Sequence, residues 1–234
     1  RKSVADPVFD AKENILSTLV LLEAAREHGV RKVIFSSSGG AGYGEQDYFP
    51  ADEKHPLRPV SPYGVAKVSV ELYLQYYRVQ YGLEYTALRY SNVYGPRQDP
   101  HGEAGVVAIF CERLLKGQTA LVNGDGLQTR DYVYVGDVVR ANLAALSRGD
   151  GLSVNIGTGI ETDVNTLFRT LRDLSGSRQE EIHGPAMPGE QRRAVIENRM
   201  AFDELGWYPV VSLDEGLALT LAYFRDKVKS SGTR

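Results

Sequence analysis

The chain has 234 residues, of which 42% are hydrophobic and 24% are charged, the composition of an ordinary globular protein rather than a disordered one. Its formal net charge of −3 excludes a strongly basic surface, so nucleic acid is not expected as a partner. No apolar stretch is long enough to span a bilayer, so no membrane association is expected.

Cysteine and histidine usage favours neither disulfides nor a metal site. The single cysteine, Cys111, lies in an apolar run and has no partner for an intrachain bridge. It therefore favours a reducing compartment, and we expect the protein to be cytoplasmic. The four histidines show no metal-ligand spacing and no nearby carboxylate cluster, so no metal is expected.

The first predicted element is a helix that starts at Asp6 and Pro7, runs through Asp10 to His28 and stops at Gly29. A buried parallel strand at 32–37 comes next and runs into a turn rich in serine and glycine. The later predicted elements are helix 62–81, strand 83–90, a loop at 92–104, helix 105–117, strand 119–123, a turn at 124–126, strand 130–135, helix 136–147, strand 152–157, helix 163–175 and helix 212–227.

The start of helix 62–81 carries a tyrosine and a lysine four residues apart. Tyr63 and Lys67 therefore lie one turn apart on the same face, with Ser61 as N-cap and Pro62 at the first helical position. An ammonium group nearby favours the phenolate, so we expect the pKa of Tyr63 to fall below its usual value of about 10 and Tyr63 to act as a general base. Alone, this spacing is also typical of a solvated helix face.

Two predicted strand ends contribute further polar groups. Ser38 follows strand 32–37, and Asn92 follows strand 83–90. In open α/β sheets, functional groups collect at the carboxyl ends of the strands. We therefore expect Ser38, Asn92 and the helix that carries Tyr63 to form one site, since a chance match of all three in this order is improbable.

With these residues, the chain resembles the extended short-chain dehydrogenase/reductases, and within them the UDP-galactose 4-epimerase type of sugar-nucleotide epimerase. The resemblance runs from about Ser3 to Phe224. The segments that carry it are SSSGGAGYGE (36–45), SPYGVAK (61–67), LRYSNVYGPRQDP (88–100), GEAGVVAIF (102–110), GDGLQTRDYVYVGDVVRAN (124–142), VNIGTG (154–159) and ELGWYP (204–209).

The resemblance implies an α/β fold, a Rossmann-like doubly wound parallel sheet with a smaller α+β C-terminal substrate domain. We expect an NAD-binding domain over 1–91 and 131–176, and a sugar-nucleotide-binding domain over 92–130 and 177–234. Family members open with a G-x-x-G-x-x-G turn and a helix that holds the cofactor pyrophosphate. Because this chain resembles the family only after its third strand, we expect roughly 70 to 80 residues to be absent, and 1–234 alone to fold poorly or to recruit the missing strands.

The resemblance also implies two ligands. NAD is the expected cofactor, and its contacts are assigned to Asn14, Ser36, Ser37, Tyr63, Lys67 and Tyr90. A UDP-sugar is the expected substrate, and its contacts are assigned to Ser38, Asn92, Val107, Leu121, Asn123, Arg130 and Arg192. The two arginines match the family's diphosphate-binding positions, where guanidinium groups pair with phosphate oxygens. Leu121 and Asn123 match the place where the family holds the uracil.

The implied reaction is epimerisation at C4 of a UDP-sugar of the glucose/galactose type. Tyr63 removes the proton of the hydroxyl group, Lys67 keeps Tyr63 ionised, and Ser38 relays the proton, while the hydrogen on carbon leaves as hydride to NAD+. The transient 4-keto sugar then rotates and takes the hydride back on its other face. N-acetylhexosamine, uronate and pentose substrates stay open, because these preferences depend on pocket volume.

Two other functions are weighed against epimerisation. A non-catalytic nucleotide-sugar-binding protein, or an inactive truncated homologue, would keep the pocket without an effective cofactor site. A sugar-nucleotide dehydratase would need an acid and a base directly after Ser38, where this chain has Gly39 and Gly40, so dehydration is disfavoured. The resemblance further implies a homodimer, formed by a four-helix contact of helices 8–28 and 62–81.

Overall fold

The computed structural model describes residues 2–101, 105–187, 189 and 191–231. Residues 102–104 of the segment GEAGVVAIF, residues 188 and 190, and residues 232–234 therefore lie outside the described residues. Among the helices that are described, none is long and apolar enough to cross a membrane.

The helices and strands follow in chain order. The helices are α1 (Lys2–Ala5), α2 (Pro7–Ala11), α3 (Ser17–Glu27), α4 (Gly39–Tyr43), α5 (Pro62–Tyr81), α6 (Val106–Leu115), α7 (Val135–Ala145), α8 (Val164–Ser175) and α9 (Leu213–Ser231), with π-helical turns at Lys12–Leu16 and Ala201–Leu205. The strands are β1 (Lys32–Ser38), β2 (Glu84–Tyr90), β3 (Asn92–Tyr94), β4 (Leu121–Asn123), β5 (Thr129–Arg130), β6 (Tyr132–Tyr134), β7 (Leu152–Ile156), β8 (Thr162–Asp163), β9 (Ile182–Gly184) and β10 (Arg193–Ala194).

The main sheet is parallel and has the strand order β1-β2-β7. Its register pairs Ser36 with Leu88 and Ser38 with Tyr90, so β1 and β2 reach their carboxyl ends side by side. Within the described ranges β1 pairs only with β2, so it is an edge strand of the sheet that these residues form. Smaller sheets join β3 to β6, β4 to β9, and β5 to both β10 and β8.

Helix α5 has the bounds that its sequence predicts. The Ser61 hydroxyl accepts the N–H of Gly64 at 3.1 Å, Pro62 occupies the first turn, and Gly82 ends the helix in a left-handed conformation. A Cβ on Gly64 would lie 2.3 Å from the carbonyl oxygen of Ala41. Glycine at this position therefore lets the start of α5 lie directly against α4.

Three predicted elements differ in detail from the structure. The first predicted helix, which ends at His28, contains the π-helical turn Lys12–Leu16. The predicted loop 92–104 begins with β3, which pairs with β6. Predicted strand 130–135 is interrupted at Asp131. The buried carboxylate of Asp131 accepts N–H groups of the loop after β7, a long-range contact that the local pattern does not reveal.

Helices cover both faces of the main sheet, as in a doubly wound fold. Residues of α7 pack on one face, and residues of α3 and α5 pack on the other. A further core forms where α6, α8 and α9 meet. Helix α8 packs with α6 and α9, whereas the segment 201–207 packs with α7 on the sheet.

A buried ion pair ties α5 to the centre of the sheet. Glu71 of α5 and Arg89 of β2 are only 7% and 6% exposed, and their closest atoms, Oε2 and Nη2, lie 2.7 Å apart. Ser37 of β1 and Ser153 of β7 also donate hydrogen bonds to the Glu71 carboxylate. Arg89 further donates to the hydroxyl of Tyr43 at 3.0 Å. One carboxylate thus connects α5 to all three strands.

We predict that Glu71→Gln lowers the free energy of unfolding by about 3 to 5 kcal/mol, because the Arg89 charge stays buried without its counter-charge. Denaturant titration measures the loss. The control is Asp47→Asn, which removes an ion pair to Arg58 whose side chains are both about half exposed and should leave stability nearly unchanged. Equal effects of the two substitutions would contradict a structural role for the buried pair.

Candidate active site

Helix α5 brings Tyr63 and Lys67 to the carboxyl end of β1. Lys67 Nζ donates to the carbonyl oxygen of Ser36 at 2.9 Å and lies 4.8 Å from the centre of the Phe35 ring. The same ammonium is 5.4 Å from the centre of the Tyr63 ring. The predicted proximity of Tyr63 and Lys67 is therefore confirmed, and the ammonium faces the ring of the tyrosine.

The expected lowering of the Tyr63 pKa is wrong for the protein chain by itself. Burial raises the pKa of Tyr63 above 10, and the negative charge of Asp10 raises it further. Burial also lowers the pKa of Lys67, which the Asp10 charge partly offsets. The prediction failed because it counted the ammonium and left out desolvation, which disfavours both charged forms.

Ser38 ends β1 and begins α4. Its Oγ accepts the N–H of Ala41 at 3.4 Å as the N-cap, so its hydroxyl proton can still be donated. Since α4 also contacts Gly64 in the first turn of α5, the segments that carry Ser38 and Tyr63 lie against each other. The structure thus brings Ser38 to the same region as the tyrosine and lysine.

Alternation along β1 separates the other two serines. Ser36 Oγ lies 3.3 Å from the hydroxyl of Tyr90, which in turn receives a hydrogen bond from the Asn142 amide at 2.9 Å. Ser37 points to the opposite face, where its hydroxyl is bonded to Glu71. Ser36 and Tyr90 therefore remain candidate cofactor contacts. The hydroxyl of Ser37 is already bonded to Glu71, so only the peptide groups of Ser37 could contact a cofactor.

Asn14 lies in the π-helical turn, and its side-chain amide binds a single residue. Its Nδ2 donates to the carbonyl oxygen and to Oδ1 of Asp10, at 3.1 and 3.0 Å. Its side-chain oxygen is the group left to meet a cofactor. Asp10 was not among the site residues predicted from the sequence, although its spacing of four residues from Asn14 on a helix was the available signal.

The predicted substrate residues are spread over several elements. Asn92 is exposed in β3, and its N–H donates to the carbonyl oxygen of Asp131 at 2.9 Å. Arg130 is half-buried in β5, and its Nη1 donates to the carbonyl oxygen of Thr129 at 2.7 Å. Leu121 and Asn123 delimit β4, and Leu121 is exposed.

Val107 is placed differently from what its assignment implied. Its side chain is fully buried in the core of α6, α8 and α9, so it cannot line a substrate pocket. Val107 lies in the first turn of α6, and the first bond of that helix runs from the N–H of Ile109 to Gly105. The N–H of Val107 therefore precedes the helical hydrogen bonds, and only this backbone group remains for a ligand.

Arg192 is exposed and carries a partner that the sequence did not predict. Its Nη1 and Nη2 bind the two carboxylate oxygens of Asp125 at 2.7 and 2.8 Å. This contact lowers the pKa of Asp125 to about 2. A diphosphate that binds Arg192 must therefore compete with an internal carboxylate.

The groups at the ends of β1 and β2 fit the nicotinamide-ribose part of NAD. The hydroxyl groups of Ser36, Tyr63 and Tyr90 and the ammonium of Lys67 can donate to ribose and carboxamide oxygens. No carboxylate is hydrogen-bonded to Ser36, Tyr90 or Lys67 within the described ranges. These hydroxyl and ammonium groups are thus free of carboxylate partners in the described part of the chain and can donate to the oxygens of the ribose and the carboxamide.

Comparison with known proteins gives a match to the NAD dependent epimerase/dehydratase family over residues 1–157. The chain belongs to this family. UDP-glucose 4-epimerase of Mycolicibacterium smegmatis is 48% identical over 229 residues, which are 97% of this chain and 73% of that protein.

Two solved structures of the family agree with the fold. UDP-glucose 4-epimerase of Thermotoga maritima with UDP-glucose is 53% identical, with a TM-score of 0.95 over 97% of this chain and 74% of that one. UDP-glucose 4-epimerase of Thermus thermophilus in complex with NAD is 44% identical, with a TM-score of 0.89 over 95% of this chain and 73% of that one. The resemblance and the fold class that the motifs predicted are confirmed.

Proposed function

We propose that this protein catalyses NAD-dependent epimerisation at C4 of a UDP-sugar of the glucose/galactose type. The observation that carries the proposal is the placement of Tyr63 and Lys67 against the end of β1, with Lys67 bonded to the Ser36 carbonyl. The names of the relatives, including the complex of the Thermotoga maritima enzyme with UDP-glucose, support the substrate class.

In this reaction Tyr63 is the general base for the hydroxyl group at C4. Lys67 holds a positive charge beside it and can donate to a ribose hydroxyl. Ser38, whose Oγ already accepts a backbone N–H, donates a hydrogen bond to the reacting sugar oxygen while Tyr63 takes up its proton. NAD bound at this site would supply the acceptor and donor of the C4 hydride. Ser36, Tyr90 and the side-chain oxygen of Asn14 would hold the nicotinamide end.

The UDP part of the substrate would be held by groups beyond the main sheet. Arg130 and Arg192 offer guanidinium groups to the diphosphate, and Asn92 and the N–H of Val107 offer further donors. Leu121 and Asn123 would contact the uracil. Binding of the diphosphate at Arg192 requires the ion pair to Asp125 to open. Arg192 would therefore bind Asp125 without nucleotide and the diphosphate when nucleotide is present.

Packing after Ser38 favours epimerisation over dehydration. A Cβ on Gly39 would lie 3.0 Å from Cδ1 and 3.2 Å from Cγ2 of Ile196, so an acidic side chain there would displace Ile196. Gly40 has open space around its Cβ position but carries no proton-transferring group. A dehydratase needs an acid and a base at these positions, and epimerisation does not.

Tyr63→Phe should lower kcat for interconversion of UDP-glucose and UDP-galactose by at least about 100-fold, as expected for loss of a general base. Binding of UDP-glucose, measured by calorimetry, should change little. The control is Tyr208→Phe, since Tyr208 is exposed on the segment that follows the second π-helical turn. Retained turnover in Tyr63→Phe would refute the assigned base, and bound UDP-glucose without turnover in the wild type would favour the binding-only alternative.

A cytoplasmic location is also proposed. Cys111 is a free and fully buried thiol, and burial raises its pKa to about 12. It therefore stays protonated and unreactive at neutral pH, as in a protein that needs no disulfide.

We further propose a homodimer formed by the helices of 8–28 and 62–81. Val20 and Leu21 of α3 and Leu72 and Val79 of α5 are 64% to 69% exposed. Apolar side chains on the outer faces of two neighbouring helices form a surface that a second copy would cover. Two such helices from each copy give a four-helix contact.

Leu72→Glu should convert the dimer to a monomer, because a buried carboxylate at the contact would lack a partner. Light scattering after size-exclusion chromatography measures the mass. Leu143→Glu on α7, where Leu143 is similarly exposed, is the control and should leave the dimer intact. A wild-type monomer, or loss of the dimer in both variants, would contradict the proposed contact.

A further inference from the structure

Asp10 is a buried acid whose second oxygen has no partner among the described residues. The residue is only 9% exposed, and its Oδ1 accepts the amide of Asn14 at 3.0 Å. Its Oδ2 is buried and receives no hydrogen bond from the described part of the chain. A buried carboxylate oxygen without a donor is costly, so its position calls for a functional reason.

Asp10 lies beside the start of α5. Asp10 and Ile15 line a surface recess together with Ser61, Pro62 and Val65. This is the first turn of the helix that carries Tyr63. Within the described ranges, Asp10 is also the carboxylate whose charge acts on both Tyr63 and Lys67, raising the pKa of each.

We propose that Asp10 is a positioning residue of the active site, whose buried carboxylate orients Asn14 through one oxygen and holds a negative charge beside Tyr63 and Lys67. This inference rests on the proposed function. The hydrogen bonds to Asp10 use the amide nitrogen of Asn14 and leave its side-chain oxygen available as an acceptor. The negative charge offsets the cost of burying the Lys67 ammonium, and it keeps Tyr63 protonated until other positive charge is present.

Few other charges face this group. On its own segment the carboxylates of Asp6 and Glu13 and the ammonium of Lys12 are exposed to solvent. The neighbouring α1 contributes no ionisable side chain over residues 3–5. From β1 the contacts of Lys67 are the Phe35 ring and the Ser36 carbonyl, which do not titrate. The charges that respond to Asp10 are therefore those of Tyr63 and Lys67.

The test is Asp10→Asn in the holoprotein, since asparagine keeps an acceptor for Asn14 and removes the charge. The ultraviolet absorbance of the phenolate is titrated in Asp10→Asn and in the wild type. From each curve we subtract the curve of the same protein that also carries Tyr63→Phe. This isolates Tyr63 without an activity assay. We expect its titration to move down by about 0.5 to 1 pH unit, because a nearby negative charge is lost. Glu13→Gln, an exposed carboxylate on the same helix, is the control and should cause no shift.

Steady-state kinetics give a second reading. Loss of the charge lowers the pKa of the base and that of the ammonium, so both limbs of the pH profile of kcat should move to lower pH in Asp10→Asn. A merely structural role would lower kcat at every pH without moving the limbs. If the wild type does not epimerise UDP-glucose, the proposed function fails, while the Tyr63 titration still tests Asp10.

Three results would overturn the inference. One is a Tyr63 titration in Asp10→Asn that matches the Glu13→Gln control. The second is a pH profile that changes only in height. The third is loss of the fold in Asp10→Asn and also in the smaller Asp10→Ser, which would make Asp10 a structural residue.

Discussion

The ion pair between Glu71 and Arg89 is the constraint on which the site depends. It lies where α5 crosses the main sheet, and the same carboxylate accepts hydrogen bonds from Ser37 and Ser153 on the two outer strands. Because α5 is held to the strands at this point, its first turn meets the end of β1 in one arrangement. Lys67 then reaches the Ser36 carbonyl, so the face of α5 that carries Tyr63 and Lys67 lies at the carboxyl end of β1.

The charges around Tyr63 explain why this residue stays protonated in the chain by itself. Its phenol is partly buried and stands near the Asp10 carboxylate, and both effects favour the protonated form. Lys67 is itself partly desolvated. Ionisation of Tyr63 near neutral pH therefore requires more positive charge than Lys67 supplies. The nicotinamide ring of NAD+ is cationic, so the oxidised cofactor suits the site electrostatically as well as chemically.

Local signals in the sequence predicted the elements that carry the site. The bounds of α5 follow from Ser61, Pro62 and Gly82, whose preferences act within a few residues, and the strand ends followed from apolar runs. Long-range packing decided what the sequence did not reveal. The burial of Val107, the pairing of Arg192 with Asp125 and the pKa of Tyr63 depend on segments that are distant in the chain.

The proposed reaction requires that one site removes a hydride from C4 of a UDP-sugar and returns it to the same carbon. UDP-glucose labelled with deuterium at C4 tests this directly, with the product analysed by mass spectrometry and NMR. We expect UDP-galactose that retains the deuterium at C4, because the hydride never leaves the closed site. Conversion with loss of the label to solvent, or tight binding of UDP-glucose without any conversion, would contradict it.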